Sequence, residues 1–455
     1  MRERLELAEQ LAGWRFCVDQ GRQDLEAVYA GDGSAAAARG VDRRGKAVVV
    51  RRSDAVSLQD QAAAAAEAGA KLLVVVNDGV GKLDPWVDSI WAPAPPPLTI
   101  ATLTRDEGER LITALQQGRQ HTLTADSNPV TAYQYDLSHF ADHVPADPTY
   151  RPGPGALARL DVAYRNFRPG DGVENRYDVW NGDWESSMNS WGMPVAGTRT
   201  DWVTAGVQYQ ASAQILREIQ QVEPGWTSYR AGSRTPIQWF GPIQRPWLAK
   251  GYSPVRSGDQ LTAVSPGWGT GPVIGTAQGN WDLTQQLSLY QGDQLVKQEQ
   301  RDQLTATGLS PDRLPYRLVA ENTRGAYPNP FSTSTRTEWG FTSTASDEAI
   351  SESLIQLHYA VDVDADGRAG RTAELGVTPR WSETSSALGI RRPTVDVSYD
   401  DGKTWRHAEV RRTAASWSIR LDAPRTAQFV TLRTRADDGA GRTVDQEIVR
   451  AFGLR

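Results

Sequence analysis

At 455 residues the chain is long enough for three or four domains of ordinary size. Its 39% hydrophobic content and 16 tryptophans supply ample core material, which excludes a disordered chain. The 49 basic and 55 acidic residues are interspersed, giving a formal charge of −6 with no basic patch or aromatic–basic stripe, so nucleic acid is not an expected partner. Apolar runs stay under about ten residues, too short for a membrane span. Cys17 is the single cysteine, which excludes an internal disulfide and a cysteine-based zinc site.

The N-terminal MRERLELAEQLAGWRF reads as an amphipathic, charged helical segment over 1–25 with no apolar signal core. The chain is therefore expected either to be cytoplasmic as written or to have its natural start upstream. Next, GKAVVVRRSDAVSLQDQAAAAAEAGAKLLVVVNDG alternates a buried-type strand at Ala47 to Val50, an alanine-rich helix at Leu58 to Ala68 and a second buried-type strand at Leu72 to Val76. Ser57 and Asp60 form a helix-start pattern, and Gly69 supplies a left-handed stop. A second unit, PPPLTIATLTRDEGERLITALQQG, repeats the device with Thr104 and Glu107 as cap, Leu111, Ile112 and Leu115 as apolar face and Gly118 as stop.

In this order and spacing, the GKAVVVRR strand, the AGAKLLVVVND strand and the PPLTIAT segment with its helix resemble the protease-associated domain, a small α/β module found beside peptidase catalytic domains. The resemblance covers about residues 40 to 125, within an expected domain of 26–125.

Past residue 126 the pattern changes to short alternating runs separated by Gly, Pro, Asn and Asp, the mark of β-sandwiches. Three segments are expected: a β-rich domain at 126–255, a β-sandwich at 256–345 and an immunoglobulin/fibronectin-like sandwich at 346–455. The second contains a hairpin around Gly292 and Asp293. In the third, Val395, Val397 and Tyr399 share one face of a half-buried strand that Asp401–Gly402 turns into the next. The expected fold class is thus mainly β and multidomain, a small α/β domain followed by two or three antiparallel sandwiches.

Six strings in one order, AVYAGDG, ADPTYRPG, RTDWVTAG, FSTSTRTEWGFTS, VDVSYDDGKTW and ADDGAGRTVDQEIVRAFGLR, are similar to the C-terminal half of large secreted subtilisin-like serine peptidases of actinobacteria. The resemblance implies a secreted or cell-surface location and protein or peptide partners, including a subtilisin-like catalytic domain encoded upstream. The catalytic strings of that family, Gly-Thr-Ser-Met-Ala, His-Gly-Thr and Asp-Thr-Gly, do not occur. The histidines are His121, His139, His143, His358 and His407, none followed by glycine, and Gly251-Tyr252-Ser253-Pro254-Val255 lacks the final glycine of a nucleophile elbow. No catalytic, cofactor-binding or metal residue is assigned, and no cofactor is expected.

Four constellations carry weaker signals. His139 and His143 have helical i, i+4 spacing, with Asp136 or Asp142 available to complete a metal site, but a loop of solvated histidines explains the same residues. Asp362, Asp364 and Asp366 before Gly367 imitate a calcium loop, yet Ala373 stands where the bidentate glutamate belongs, so an acidic turn is the simpler reading. Ser398 to Trp405 resembles the Asp-box hairpin of sialidase-like propellers, where the motif is structural. Trp180, Trp184, Trp191 and Trp202 with Tyr177 suit either a sugar-stacking face or a sandwich core. The favoured function is a noncatalytic interaction or substrate-recognition region; the alternative is an independent binding module for carbohydrate or protein, or a hydrolase with an unrecognised site.

Overall fold

The computed structural model describes residues 21–455 apart from 82, 84–97, 128–136, 148, 166–170, 181–182, 195–196, 216–218, 272, 278–282, 325–329, 385 and 414–415. Positions 1–20 of the expected N-terminal helix, and Asp136, lie outside the described residues. Strands make up 48% of the structure and helices 6%, which makes the protein mainly β. The chain divides into two compact units, Met1–Tyr135 with Ser190–Met193 and Asp136–Asn189 with Pro194–Arg455.

The first unit is a mixed sheet. Strands β1 (Gly21–Tyr29), β2 (Ala47–Arg51), β3 (Leu72–Val76) and β4 (Thr99–Leu103) run parallel, and β5 (Thr122–Ser127) is antiparallel to β1, in the order β4-β3-β2-β1-β5. Helices α1 (Leu58–Glu67) and α2 (Arg105–Gln116) follow β2 and β4. Successive valines point to opposite faces of a strand. Val48, Val50, Leu73 and Val75 accordingly pack on Ala62 and Ala65 of α1, whereas Val49, Leu72, Val74 and Val76 pack on Leu111 and Ile112 of α2. The sheet is covered on both sides, as an uninterrupted valine run requires.

Both caps form. Ser57 Oγ accepts from Asp60 N at 3.1 Å and Thr104 Oγ1 from Glu107 N at 3.4 Å, while Gly69 and Gly118 close the helices at φ of 76° and 74°. Inside α2, Gly108 has another role: a Cβ there would lie 2.2 and 2.4 Å from the two γ-carbons of Val76. Gly108→Ala is therefore expected to lower stability by about 1–3 kcal/mol through overpacking, despite alanine's better helix propensity. Denaturant unfolding checks this, and an unchanged or raised midpoint would contradict it.

The second unit begins with two packed sheets. One contains β7 (Asp171–Trp180), β8 (Asp183–Pro194), β10 (Gln208–Ile215), β11 (Ile219–Val222) and the strand Ile274–Ala277, with β12 (Thr227–Ser228) beside β10. The other has the order β13-β6-β9, from β6 (Leu157–Tyr164), β9 (Gly197–Thr204) and β13 (Arg234–Trp239). Here β13 runs parallel to β6, a departure from the all-antiparallel expectation. Leu160 and Val162 meet Tyr209, Ala211 and Ala213 in one core with Trp239 and Trp268, both fully buried.

The remaining chain builds a nine-stranded sheet whose main path is Gln294–Glu299, Thr284–Gln291, Leu314–Thr323, Ser334–Ser343, Thr443–Leu454, Phe429–Asp437, Thr394–Ser398 and Arg406–Ala408. Two four-stranded sheets accompany it, around Val255–Ser257 with Gln260–Val264 and around Ile355–Val361 with Glu374–Trp381. The expected division at 345/346 is crossed by an unbroken ladder: Ser334–Gly340 pairs with Thr443–Val449, and one core cluster spans Ile243 to Leu454. The division at 255/256 is crossed as well, because Ile274–Ala277 pairs with β11. Across the 345/346 division, fully buried Trp339 donates from Nε1 to Ile355 O at 3.1 Å.

Candidate functional site

The carboxyl ends of parallel strands, where backbone and side-chain groups emerge beside helix N-termini, are the usual binding edge of α/β sheets. In the first unit this edge is a charged rim. Arg51, at the end of β2, makes two parallel hydrogen bonds to Glu109 of α2, both 2.6 Å, and also donates to the Tyr29 hydroxyl while its guanidinium lies 5.3 Å from that ring's centroid. The paired hydrogen bonds from Arg51 hold the Glu109 carboxyl below its usual range, and the same bonds raise Arg51. Burial raises the Tyr29 phenol.

Beyond this tier, Arg52 donates to Asp78 at 2.9 Å and approaches Asp54 at 3.7 Å, with Arg52 and Asp78 each about half exposed. The loops are fixed from below. Buried Gln61 of α1 donates from Nε2 to the carbonyls of Asp32 and Arg51 at 2.8 and 2.9 Å, and buried Asn77 bonds Gly79 N and Gly81 O. The result is an edge, anchored by Gln61 and Asn77, that bears alternate donors and acceptors. Among the described residues it presents no nucleophile–base pair.

The histidines are engaged elsewhere. His139 stacks on Tyr150 at 3.7 Å between ring centroids, and both it and His143 are exposed in a non-helical stretch, so the i, i+4 geometry does not form. His407 meets Asp396 at 3.0 Å as a cross-strand pair on an exposed face. His358 packs edge-on against Trp247. No described histidine hydrogen-bonds a serine, threonine or cysteine. Ser253, buried, is bonded at 2.6 Å to the Ser382 hydroxyl.

The acidic loop is braced by its own backbone amides and by Arg455. Asp364 Oδ1 accepts from the backbone of Asp366 and Arg368, both at 3.0 Å, and Oδ2 accepts from Arg455 at 3.1 Å. Although burial alone would raise it, these bonds hold the Asp364 carboxyl below its usual range. Asp362 and Asp366 are exposed. The loop fastens the strand Thr443–Leu454 through parallel pairing of Arg368 with Gly453. The Asp-box stretch is likewise a braced turn. Asp400 accepts from Thr404 N at 2.8 Å, from the Thr404 hydroxyl at 2.6 Å and from the Ser398 hydroxyl at 2.7 Å, bonds that depress its carboxyl to about 2. Trp405 lies under the Arg433 guanidinium at 4.1 Å. Of the aromatic set, Trp202 is exposed on β9 and Tyr177 is half-buried, whereas the side chains of Trp180, Trp184 and Trp191 lie outside the described residues.

A second charged cluster went unread in the sequence. Glu174 and Arg176 on β7 face Arg199 and Asp201 on β9 between the two sheets. Arg176 bonds Asp201 at 2.9 Å and Glu174 at 3.3 Å, Arg199 bonds Asp201 at 2.6 Å and also Glu174, and the Tyr164 hydroxyl donates to Glu174. Burial works against both arginines, but the facing carboxylates raise them, and burial together with Glu174 raises Tyr164. Two arginines here face two carboxylates and satisfy one another, which makes the cluster a structural ion network. The signal was the period-two run Glu174, Arg176, Asp178 inside VENRYDVW, whose partners on β10 are Ala213, Ala211 and Tyr209 of the core face.

No protein-family model matches the sequence, and no curated protein matches it. Among solved structures, an aminopeptidase from Aneurinibacillus sp. strain AM-1 is similar at 26% identity and a TM-score of 0.23, over 25% of this chain and 27% of that one. The fibronectin(III)-like modules of Clostridium thermocellum CbhA are similar at 14% identity and 0.15, over 43% of this chain and 86% of that one. The N-terminal eight Ig domains of Down Syndrome Cell Adhesion Molecule are similar at 10% identity and 0.16, over 64% and 47%. Scores this low do not establish a shared fold. No described helix is long and apolar enough to cross a membrane.

Proposed function

We propose that this chain is a noncatalytic interaction region that holds polypeptide substrates or partner chains for a subtilisin-like serine peptidase, the catalytic domain lying on another stretch of polypeptide and the whole acting at or outside the cell surface. The observation that carries the reading is the rim of the first unit, where Arg52 and Asp78 stand half exposed on loops anchored by Gln61 and Asn77. An edge whose loops are already anchored loses less conformational freedom on binding a chain. The braced turns at Asp364 and Asp400 fit the second unit to a spacer or docking role, since the Asp400 carboxylate is engaged within its own loop and that of Asp364 by its loop and Arg455.

The test is binding of the full chain to fluorescein-labelled unfolded casein, followed by anisotropy. Arg52→Glu and Asp78→Lys are each expected to weaken binding about tenfold, the scale of one charged hydrogen bond. Equal affinity in wild type and both variants would overturn the assignment of the rim. In parallel, a fluorophosphonate probe is expected to leave the chain unlabelled; one adduct on a serine would overturn the noncatalytic reading.

A further inference from the structure

Residues 141–147, Ala-Asp-His-Val-Pro-Ala-Asp, are seven consecutive exposed positions outside any helix or strand. The chain just before them is held by the second unit. Ser138 donates to the Asp178 carboxylate, the Thr204 hydroxyl donates to Ser138 O, and Phe140 packs against the core that contains Trp239 and Trp268. From Ala141 onward that hold ends. Among the described residues, the one hydrogen bond that 141–147 make is from Thr149 N to the Asp147 carboxylate, at 2.9 Å. Val144, in the middle of the stretch, is 93% exposed.

Exposure by itself does not free a backbone. Leu388 is 85% exposed, yet its loop is stitched by Trp381 Nε1 to Leu388 O at 2.9 Å, Trp381 N to Ser386 O at 2.8 Å and Ile390 N to Ala387 O at 3.2 Å. An endopeptidase takes several residues of its substrate as an extended strand, pairing with their backbone groups and seating alternate side chains. A folded chain offers that geometry at once only where its backbone is both exposed and unbonded; elsewhere a segment must first open, at a cost that rises toward the full stability of the fold.

We propose that the three peptide bonds between Ala141 and Val144 are a processing site, cut by a broad-specificity endopeptidase that uses the side chain of Val144 as its apolar handle. Water adds across one peptide bond, leaving a new carboxylate on the upstream residue and a new ammonium on the downstream one. Pro145 confines the cut to the N-terminal side of Val144, because proline has no backbone N–H to pair with the peptidase and its ring fixes φ. The cut severs the covalent link between the first unit, which reaches Tyr135, and the body of the second, while Ser138 and Phe140 keep their contacts. It does not depend on the rim binding a chain.

The folded full chain is treated with a trace of subtilisin and its products are followed by gel electrophoresis and mass spectrometry. A fragment beginning at Asp142, His143 or Val144 and running to Arg455 is expected before any cut falls inside the strands of the second unit. His143→Pro changes an exposed position without a hydrogen bond, so it is expected to unfold at the wild-type midpoint. It is also expected to yield that fragment about tenfold more slowly, the scale of one lost backbone hydrogen bond to the peptidase. Cuts inside the strands of the second unit before the fragment appears, or equal rates of its release from wild type and variant, would overturn the proposal.

Discussion

Glu174→Gln is expected to destabilise the second unit by about 3–5 kcal/mol, the cost of leaving a buried charge uncompensated. Glu174 is 2% exposed and bonds Arg176, Arg199 and the Tyr164 hydroxyl. With its charge removed, buried Arg176 and partly buried Arg199 lose one of the carboxylates that face them and keep Asp201. Most of a domain's net stability is at stake in a change of this size. Replacing the charges by shape, as in Glu174→Leu with Arg176→Met, is expected to recover much of the loss, since apolar substitutes for buried ion pairs often cost little. Urea unfolding followed by tryptophan fluorescence measures both. A Glu174→Gln midpoint equal to wild type would show that the network is weaker than its geometry indicates.

Stability is also expected to fall as pH drops from about 6.5 to about 3, through His358. Its folded pKa, about 3, lies below the unfolded 6.5, with burial the larger cause and the charges of Arg245 and Arg380 adding to it. Between the two values the unfolded state binds the proton and the native state does not, so stability rises with pH in this window and is fully present above 6.5. The contribution is roughly 3–5 kcal/mol. His358→Phe preserves the edge-on packing against Trp247, 4.3 Å between centroids, and is expected to flatten the slope. Carboxylates titrate in the same range, so the decisive quantity is the difference between wild type and variant. Parallel pH profiles would contradict the assignment.

Local devices were legible in the sequence and long-range ones were not. Ser57, Gly69, Thr104 and Gly118 announced both helices because a cap is a contact over three or four residues. The hairpins at Gly292 and at Asp401–Gly402, with φ of 57°, 58° and 87°, were readable for the same reason. The ladder joining Ser334–Gly340 to Thr443–Val449 was hidden, because pairing across a hundred residues leaves no local period. Strand alternation marks which side chains share a face but not what covers that face, so nothing local in the sequence shows that Glu174 and Arg176 point inward. The rim was half legible: the strand ends carrying Arg51, Arg52, Asn77 and Asp78 were identified, while the partnership of Arg51 with Glu109 depends on α2 crossing back over the sheet.

Hydrogen exchange of the full chain with and without unfolded casein tests the interaction reading most directly, because it locates contact without presupposing the site. Slower exchange is expected at residues 51–54 and 77–79 while the casein stays intact. Protection confined to the second unit, or cleavage of the casein, would contradict it.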